Sequence, residues 1–511
     1  MTALLAIEKL RIGTTDGRPL VNDLDLTLDA GECLGVVGES GSGKSLTALS
    51  ILRLLPEYLQ QSGSIRFEGQ ALEAMSERDL RDICGARIGM VFQEPMSALN
   101  PLLRIGHQVA EVMRIHQRLP RAKCAEIARD ALARVGLEPG LAERYAHQLS
   151  GGQRQRACIA MAMIASPRLL IADEPTTALD PRSQGEILEL LLELVRVQGT
   201  SLLLISHDLN LIARYTQRLL VMRHGAVVER GASADVLGRS IHPYTRSLIE
   251  AARLPSTRLR QQGRATQPLP VLEVDGVRCG YGKHRVLEDI DLSVASGESV
   301  GLVGASGAGK STLLRAILGV QPVSAGSIRH QGRSLLQARG AKLRQIRRGV
   351  QAVFQDPVSS FDPRWRVDRL VGEPLHLLDA KLGAASRRER VHRALDQVGL
   401  GAADAKRHPH EFSGGQRQRI AIARALVVEP ALLVLDEAVS ALDAATRLQV
   451  LELLAHLSTT LGLAYLFVSH DMNVMRSITD RLYVLEQGRI VDRGATGEVL
   501  ARLQRTRPYA A

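Results

Sequence analysis

The sequence predicts an α/β protein built as two tandem copies of one domain. Each copy is a mostly parallel core sheet with helices, an antiparallel β subregion and a helical subdomain. Three observations carry this reading. A continuous apolar strand runs straight into G-x-x-x-x-G-K-S twice, at 38–45 and 304–311. A Ser-Gly-Gly run also occurs twice, as LSGGQRQR at 149–156 and FSGGQRQR at 412–419. The serine of each run stands 23 residues before an Asp-Glu pair that closes a second apolar strand, Asp173-Glu174 and Asp436-Glu437. Apolar runs of this continuous kind belong to strands buried on both faces, as in a parallel sheet.

Composition bounds the function classes. A chain of 511 residues is long enough for two domains, each with its own core. Hydrophobic content of 45% and charged content of 23% suit a soluble globular protein. Aromatics make up only 3%, so the cores rest on Leu, Val, Ile and Ala. The five cysteines are scattered, odd in number and without metal-ligand spacing, which points to free thiols in a reducing cytoplasm. No apolar run reaches the roughly 18 residues of a membrane span; the longest, 187–205, is broken by Glu189, Glu193 and Arg196. Met1–Leu10 lacks a basic start and meets Glu8 at once, so no signal peptide is expected. The net charge of +11 is carried mostly by Arg spread along the chain, with few rings to stack on bases. Nucleic acid is therefore not an expected partner. The excess suits anionic phosphates and an anionic membrane surface.

In chain order, LLAIEKLRI (4–12) and LVNDLDLTL (20–28) read as half-buried strands, the second alternating cleanly. CLGVVG (33–38) is a buried strand that enters Gly38-Glu39-Ser40-Gly41-Ser42-Gly43-Lys44-Ser45, and a helix to about Leu55 follows. SVGLVG (299–304) leads in the same way into Gly304-Ala305-Ser306-Gly307-Ala308-Gly309-Lys310-Ser311. Glycines let backbone N–H groups converge on phosphate oxygens at the positive end of a helix. The lysine reaches the β/γ-phosphates and the serine hydroxyl ligates Mg²⁺. GSIRFEG (63–69) and GSIRHQG (326–332) are matching strands of the antiparallel subregion. Segments 96–145 and 358–408 read as helical and are the least alike between halves, which suits contact with different partners.

The remaining chemistry lies at strand ends. VFQEP (91–95) and VFQDP (353–357) place Gln93 and Gln355 at matched positions, 57 and 58 residues before the serines. LLIADE (169–174) and LLVLDE (432–437) each end in two carboxylates. Asp173 and Asp436 suit a Mg²⁺ shell, and Glu174 and Glu437 are placed to act as general bases on the attacking water. An unpaired buried carboxylate pair is too costly to be mere structure. ALD recurs at 178–180 and 441–443. LLLISHD and YLFVSHD set His207 and His470 34 residues beyond the Asp in each half, as γ-phosphate contacts.

Together these residues resemble the nucleotide-binding domains of ABC transporters over nearly the whole chain. The resemblance implies two tandem P-loop NTPase domains with ATP and Mg²⁺ as cofactors. Gly38–Ser45 and Gly304–Ser311 look like Walker A, Gln93 and Gln355 like Q-loops. Ser150-Gly151-Gly152-Gln153 and Ser413-Gly414-Gly415-Gln416 look like signatures. Asp173-Glu174 and Asp436-Glu437 look like Walker B with its catalytic Glu, Asp180 and Asp443 like D-loops, and His207 and His470 like switch histidines. In that family Mg²⁺ is held by the positions of Ser45, Gln93, Asp173, Ser311, Gln355 and Asp436. Tyr281 matches the aromatic that stacks on adenine, while Thr14 stands at the aligned place in the first half. Phe412 replaces the usual Leu before the second signature, and Ala438 the usual Pro after the second catalytic Glu.

LIADEPTTALD, GESGSGKS and HPYTRSLIEA (242–251) are similar to the peptide/nickel importer ATPases, fused in one chain as in the oligopeptide and microcin-C type. The second HPYT survives only as Arg507-Pro508-Tyr509-Ala510. Many such relatives carry a cysteine cluster after the extension; this chain has none, so no iron–sulfur site is expected. The resemblance implies two transmembrane permease subunits, an extracytoplasmic substrate-binding protein, and a peripheral place on the cytoplasmic face of the inner membrane. It also implies a head-to-tail pairing in which Ser150 and Gly152 cap the nucleotide at Lys310, and Ser413 and Gly415 the one at Lys44. The polar stretch 253–270 reads as a linker, giving domains at 1–252 and 271–511. The competing expectation is a cytosolic twin ATPase acting on ribosomes without a permease; such proteins carry a long charged helical linker, and this one is short and contains Pro.

Overall fold

Five consecutive buried residues, Cys33–Val37, form the strand around which the first lobe is laid down. A run with no polar face has no stable place at a sheet's edge or surface, so it sits centrally with neighbours on both sides. In this computed structural model the described residues are 3–39, 41–93, 95–176, 181–252, 270–282, 284–305, 307–354, 360–378, 382–440 and 442–506. Contacts divide the chain into two units, Met1–Ala252 and Arg253–Ala511.

The first unit contains β1 (Leu5–Thr14), β2 (Pro19–Leu28), β3 (Cys33–Val37), β4 (Leu59–Phe67), β5 (Gln70–Ala71), β6 (Ile88–Val91), β7 (Leu169–Asp173), β8 (Ser201–Ser206), β9 (Arg218–Arg223) and β10 (Ala226–Ala232). Its core sheet runs β10-β9-β3-β8-β7-β6. All pairs in it are parallel except β9–β10. A separate antiparallel sheet runs β2-β1-β4-β5.

The second unit repeats this with β11 (Pro270–Tyr281), β12 (His284–Ala295), β13 (Ser299–Val303), β14 (Ala325–His330), β15 (Arg333–Ser334), β16 (Val350–Val353), β17 (Leu432–Asp436), β18 (Ala464–Val468), β19 (Arg481–Glu486) and β20 (Arg489–Ala495). The core order is β16-β17-β18-β13-β19-β20 and the antiparallel order β12-β11-β14-β15. Aliphatic side chains fill both cores, among them Leu34, Ile171 and Leu203 in the first and Leu302, Val434 and Leu466 in the second. Each such side chain removed from water contributes roughly 1.5–3 kcal/mol.

Two expectations are corrected in detail. The helix after the first phosphate loop ends at Ile51, not near Leu55. Arg53 turns left-handed (φ 52) and Pro56 follows, so the chain cannot continue as a helix. Pro270, read as the last residue of the linker, is already in β11 and pairs with Ala295. The rest of the linker, 253–269, and the tail 507–511 lie outside the described residues.

The helical regions diverge as their sequences do. The first lobe has the long helices Ile105–Gln117 and Arg121–Arg134. The second has a short helix, Val367–Val371, that gives way to a 3-10 turn at Glu373–Leu377, then Ala384–Gln397. Pro374 accounts for the break, because its ring cannot continue an α-helical ladder. Among the described residues no helix is long and apolar enough to cross a membrane. All five cysteines are free thiols, and burial pushes Cys33 and Cys158 up to about 12.

Candidate active site

The register of the parallel strands brings the chemistry to one edge. Val91 pairs with Ala172, Asp173 with Ile205, and Val37 with Ser206. The carboxyl ends of β6, β7, β8 and β3 therefore lie level, which delivers Gln93, Asp173, Glu174, His207 and Gly38 together. Open α/β sheets place ligands at this edge. The second lobe repeats the alignment, with Val353 opposite Leu435, Asp436 opposite Val468 and Leu302 opposite Val468.

The phosphate loops close on their own lysines. Lys44 is buried, and its Nζ donates to the Gly38 and Glu39 carbonyls at 2.7 and 2.9 Å. Lys310 does the same to Gly304 and Ala305 at 2.7 and 3.0 Å. Each helix begins at a left-handed glycine, Gly43 (φ 100) and Gly309 (φ 107). A Cβ at those points would stand 2.9 Å from Val21 Cγ2 and 2.7 Å from Leu287 Cδ2, so both conformation and space require glycine. Ser40 and Ser306 fall outside the described residues.

Behind each loop stands the carboxylate pair. Asp173 is buried and accepts a hydrogen bond from the Ser45 side chain. Burial pushes its carboxyl up to about 6, against the pull of Ser45 and Lys44, and its Oδ1 has no hydrogen-bond partner among the described residues. Asp436 is raised as well, by burial first and then by the charge of Glu437. Glu174 and Glu437 both adopt the left-handed region, at φ 47 and 48. For a side chain of this size that backbone is strained, and it persists because each N–H is tied to the neighbouring strand. Glu174 donates to Ile205 O and Glu437 to Val468 O, both at 2.9 Å.

The strain aims the glutamates at their partners. Glu174 accepts from Gln93 Nε2 at 3.0 Å and lies 3.2 Å from His207 Nδ1. Glu437 lies 3.2 Å from His470 Nδ1, and that hydrogen bond holds its carboxyl below the usual range despite burial. Gln355 lies outside the described residues.

The Ser-Gly-Gly runs are placed differently. Ser150 opens the helix Gly151–Met163 and Ser413 the helix Gly414–Leu426, each in a reciprocal cap. Gln153 and Gln416 close these caps, the serine hydroxyls accepting at 3.3 Å and the glutamine side chains at 3.0 Å. Among the described residues of its own lobe, neither serine bonds the groups above. Gly152 has open space around its Cβ position, while one at Gly415 would meet Thr446 Cγ2 at 2.2 Å. The arginines of the motif are anchors that the sequence reading left unassigned. Arg154 and Arg417 bond the Ala146 and Pro409 carbonyls, and Arg156 and Arg419 those of Val135 and Val398.

Asp443 caps the helix Ala444–Leu461, accepting from Thr446 N–H and Oγ1 at 3.0 Å each. Asp180 is outside the described residues. Tyr281 ends β11 half-exposed, with Arg315 Nη1 3.3 Å from its hydroxyl. At the matching end of β1, Thr14 Oγ1 instead accepts from the Arg18 N–H at 3.1 Å and closes a turn. One further contact was not foreseen: the Glu39 N–H donates to the Tyr244 hydroxyl at 3.0 Å. The sequence signal for it was HPYT itself, which marked kinship without a role.

Comparison with known proteins agrees with this geometry. Residues 21–177 and 287–440 each match the family described as ABC transporter. The "Uncharacterized ABC transporter ATP-binding protein YejF" of Escherichia coli K12 is 42% identical, over 98% of this chain and 97% of that protein. The "Peptidoglycan transport ATP-binding protein YejF" of Agrobacterium fabrum is 40% identical, over 98% and 94%. The "Glutathione import ATP-binding protein GsiA" of Pectobacterium atrosepticum is 38% identical, over 96% and 85%. Two matched regions, two sets of site residues and full-length relatives agree that the chain belongs to the ABC transporter family, among its ATP-binding proteins.

Proposed function

We infer that the chain is the ATP-hydrolysing subunit of an ABC importer for peptides or related small solutes. One observation carries the ATPase part: Lys, Asp, Glu and His recur in both lobes at the same sheet edge. In this reading Lys44 and Lys310 bind the β/γ-phosphates. Glu174 and Glu437 take the proton of the attacking water, and His207 and His470 touch the γ-phosphate.

The residues fit Mg²⁺. Among the described residues Asp173 has an unpartnered buried oxygen, and its pairing with the Ser45 hydroxyl suits an ion that keeps waters and phosphate oxygens as ligands. Ser45, Asp173 and Gln93 would hold one ion, and Ser311, Asp436 and Gln355 the other. Bound there, Mg²⁺ neutralises charge on the β- and γ-oxygens.

The importer part is supported by the relatives named for glutathione import and peptidoglycan transport. It assigns two permease subunits, an extracytoplasmic binding protein and a peripheral place on the cytoplasmic face of the inner membrane. By family resemblance, Ser150 and Gly152 complete the site of Lys310, and Ser413 and Gly415 that of Lys44. Membrane recovery that depends on a permease pair, with peptide uptake lost on deletion, is the expected result. Ribosome association with unchanged uptake would overturn it.

A further inference from the structure

We propose that Tyr244 is a positioning residue for the first lobe's phosphate loop, so that nucleotide affinity there depends on the HPYT extension. The proposal rests on the ATPase reading above. Tyr244 stands 205 positions from Glu39 and is 4% exposed, yet its hydroxyl accepts the Glu39 N–H at 3.0 Å. The carbonyl of Glu39 accepts from Lys44 Nζ at 2.9 Å and from the Ser42 N–H at 3.1 Å. Glu39 is thus pinned from both sides, by the extension through its N–H and by the phosphate-binding lysine through its C=O. Rotation of either flanking peptide would move the carbonyl against which Lys44 is set.

The extension is built to hold that hydroxyl still. Pro243 opens the helix Pro243–Ala252, and the His242 Nδ1 accepts the Tyr244 N–H at 3.2 Å. The Glu229 carboxylate accepts the Ile241 and His242 N–H groups at 2.8 and 3.3 Å, tying the helix entry to β10. The Arg223 guanidinium lies 4.7 Å from the centroid of the Tyr244 ring, a cation–π contact. Arg223 ends β9, the strand paired with β3 directly before the loop. Histidine, proline and tyrosine of the motif therefore each have a part in presenting one oxygen to one backbone N–H. Ala305 takes the place of Glu39 in the second lobe, and the matching Tyr509 lies outside the described residues.

Tyr244→Phe keeps the ring and its cation–π contact and removes the hydroxyl that accepts the Glu39 N–H. The test uses the full chain with one lobe silenced. In a Lys310→Ala background, which reads the first lobe, Tyr244→Phe should raise the MgATP Kd about 3- to 10-fold. The ATP KM should rise in step, while kcat holds within about twofold. In a Lys44→Ala background, which reads the second lobe, the Kd should not move. Glu229→Leu, which loosens the helix entry without touching the ring, should shift the first lobe in the same direction. Equal shifts in both backgrounds, or none in the first, overturn the proposal. A parent chain that binds no MgATP overturns the ATPase reading instead.

Discussion

His207 Nδ1 lies 3.2 Å from the Glu174 carboxylate, and His470 holds the same distance to Glu437. A base and its histidine partner that share a hydrogen bond act as one unit, so their losses should not add. Measured in a Glu174→Gln background, His470→Ala and Glu437→Gln should each lower kcat by about 10²-fold or more. The double change in the second lobe should fall within about threefold of the worse single. Multiplicative losses would mean that the two side chains act independently.

One pH effect belongs to the second lobe alone. His330 is buried, with Nε2 3.0 Å from the Ile317 carbonyl and Nδ1 without a partner among the described residues. Burial holds its pKa below the ordinary 6.5. The unfolded chain takes up a proton there that the folded lobe refuses, so this contribution to stability is full above about pH 6.5 and lost as pH falls below it. Phe67 occupies the matching place, across from Leu5 as His330 is across from Leu272. His330→Phe should raise the second lobe's Tm more at pH 5.5 than at pH 7.5. A shift of equal size at both values contradicts the assignment.

The signature serine has two separable duties. Ser413 caps the helix Gly414–Leu426. Ser413→Ala should cost about 0.5–2 kcal/mol in urea unfolding, and Ser413→Gly only a few tenths. ATPase activity should drop in both, because neither residue supplies a hydroxyl to nucleotide. If activity tracks stability across the pair, the serine is a cap alone.

Much of the fold was legible because its signals are local. Cys33–Val37 and residues 169–172 are apolar throughout and lie wholly buried in the core sheet. Repetition made the site legible too: Gln93 stood out by its matched spacing, but its hydrogen bond to Glu174 depends on how β6 and β7 align. The left-handed backbone of Glu174 and Glu437 leaves no mark in composition, since a glycine is what such a φ normally signals. Arg156 had no assigned role, because its bond to Val135 O joins segments that only packing brings together. Tyr244 was hidden for the same reason, because its partner is in the phosphate loop, 205 positions away.

The claim that both lobes hydrolyse ATP is tested most directly by the turnover of Glu174→Gln, Glu437→Gln and the double variant, each as the full chain. Each single variant should fall clearly below the parent, and the double by about 10²-fold or more. One single variant that keeps the parent's turnover would contradict two working sites.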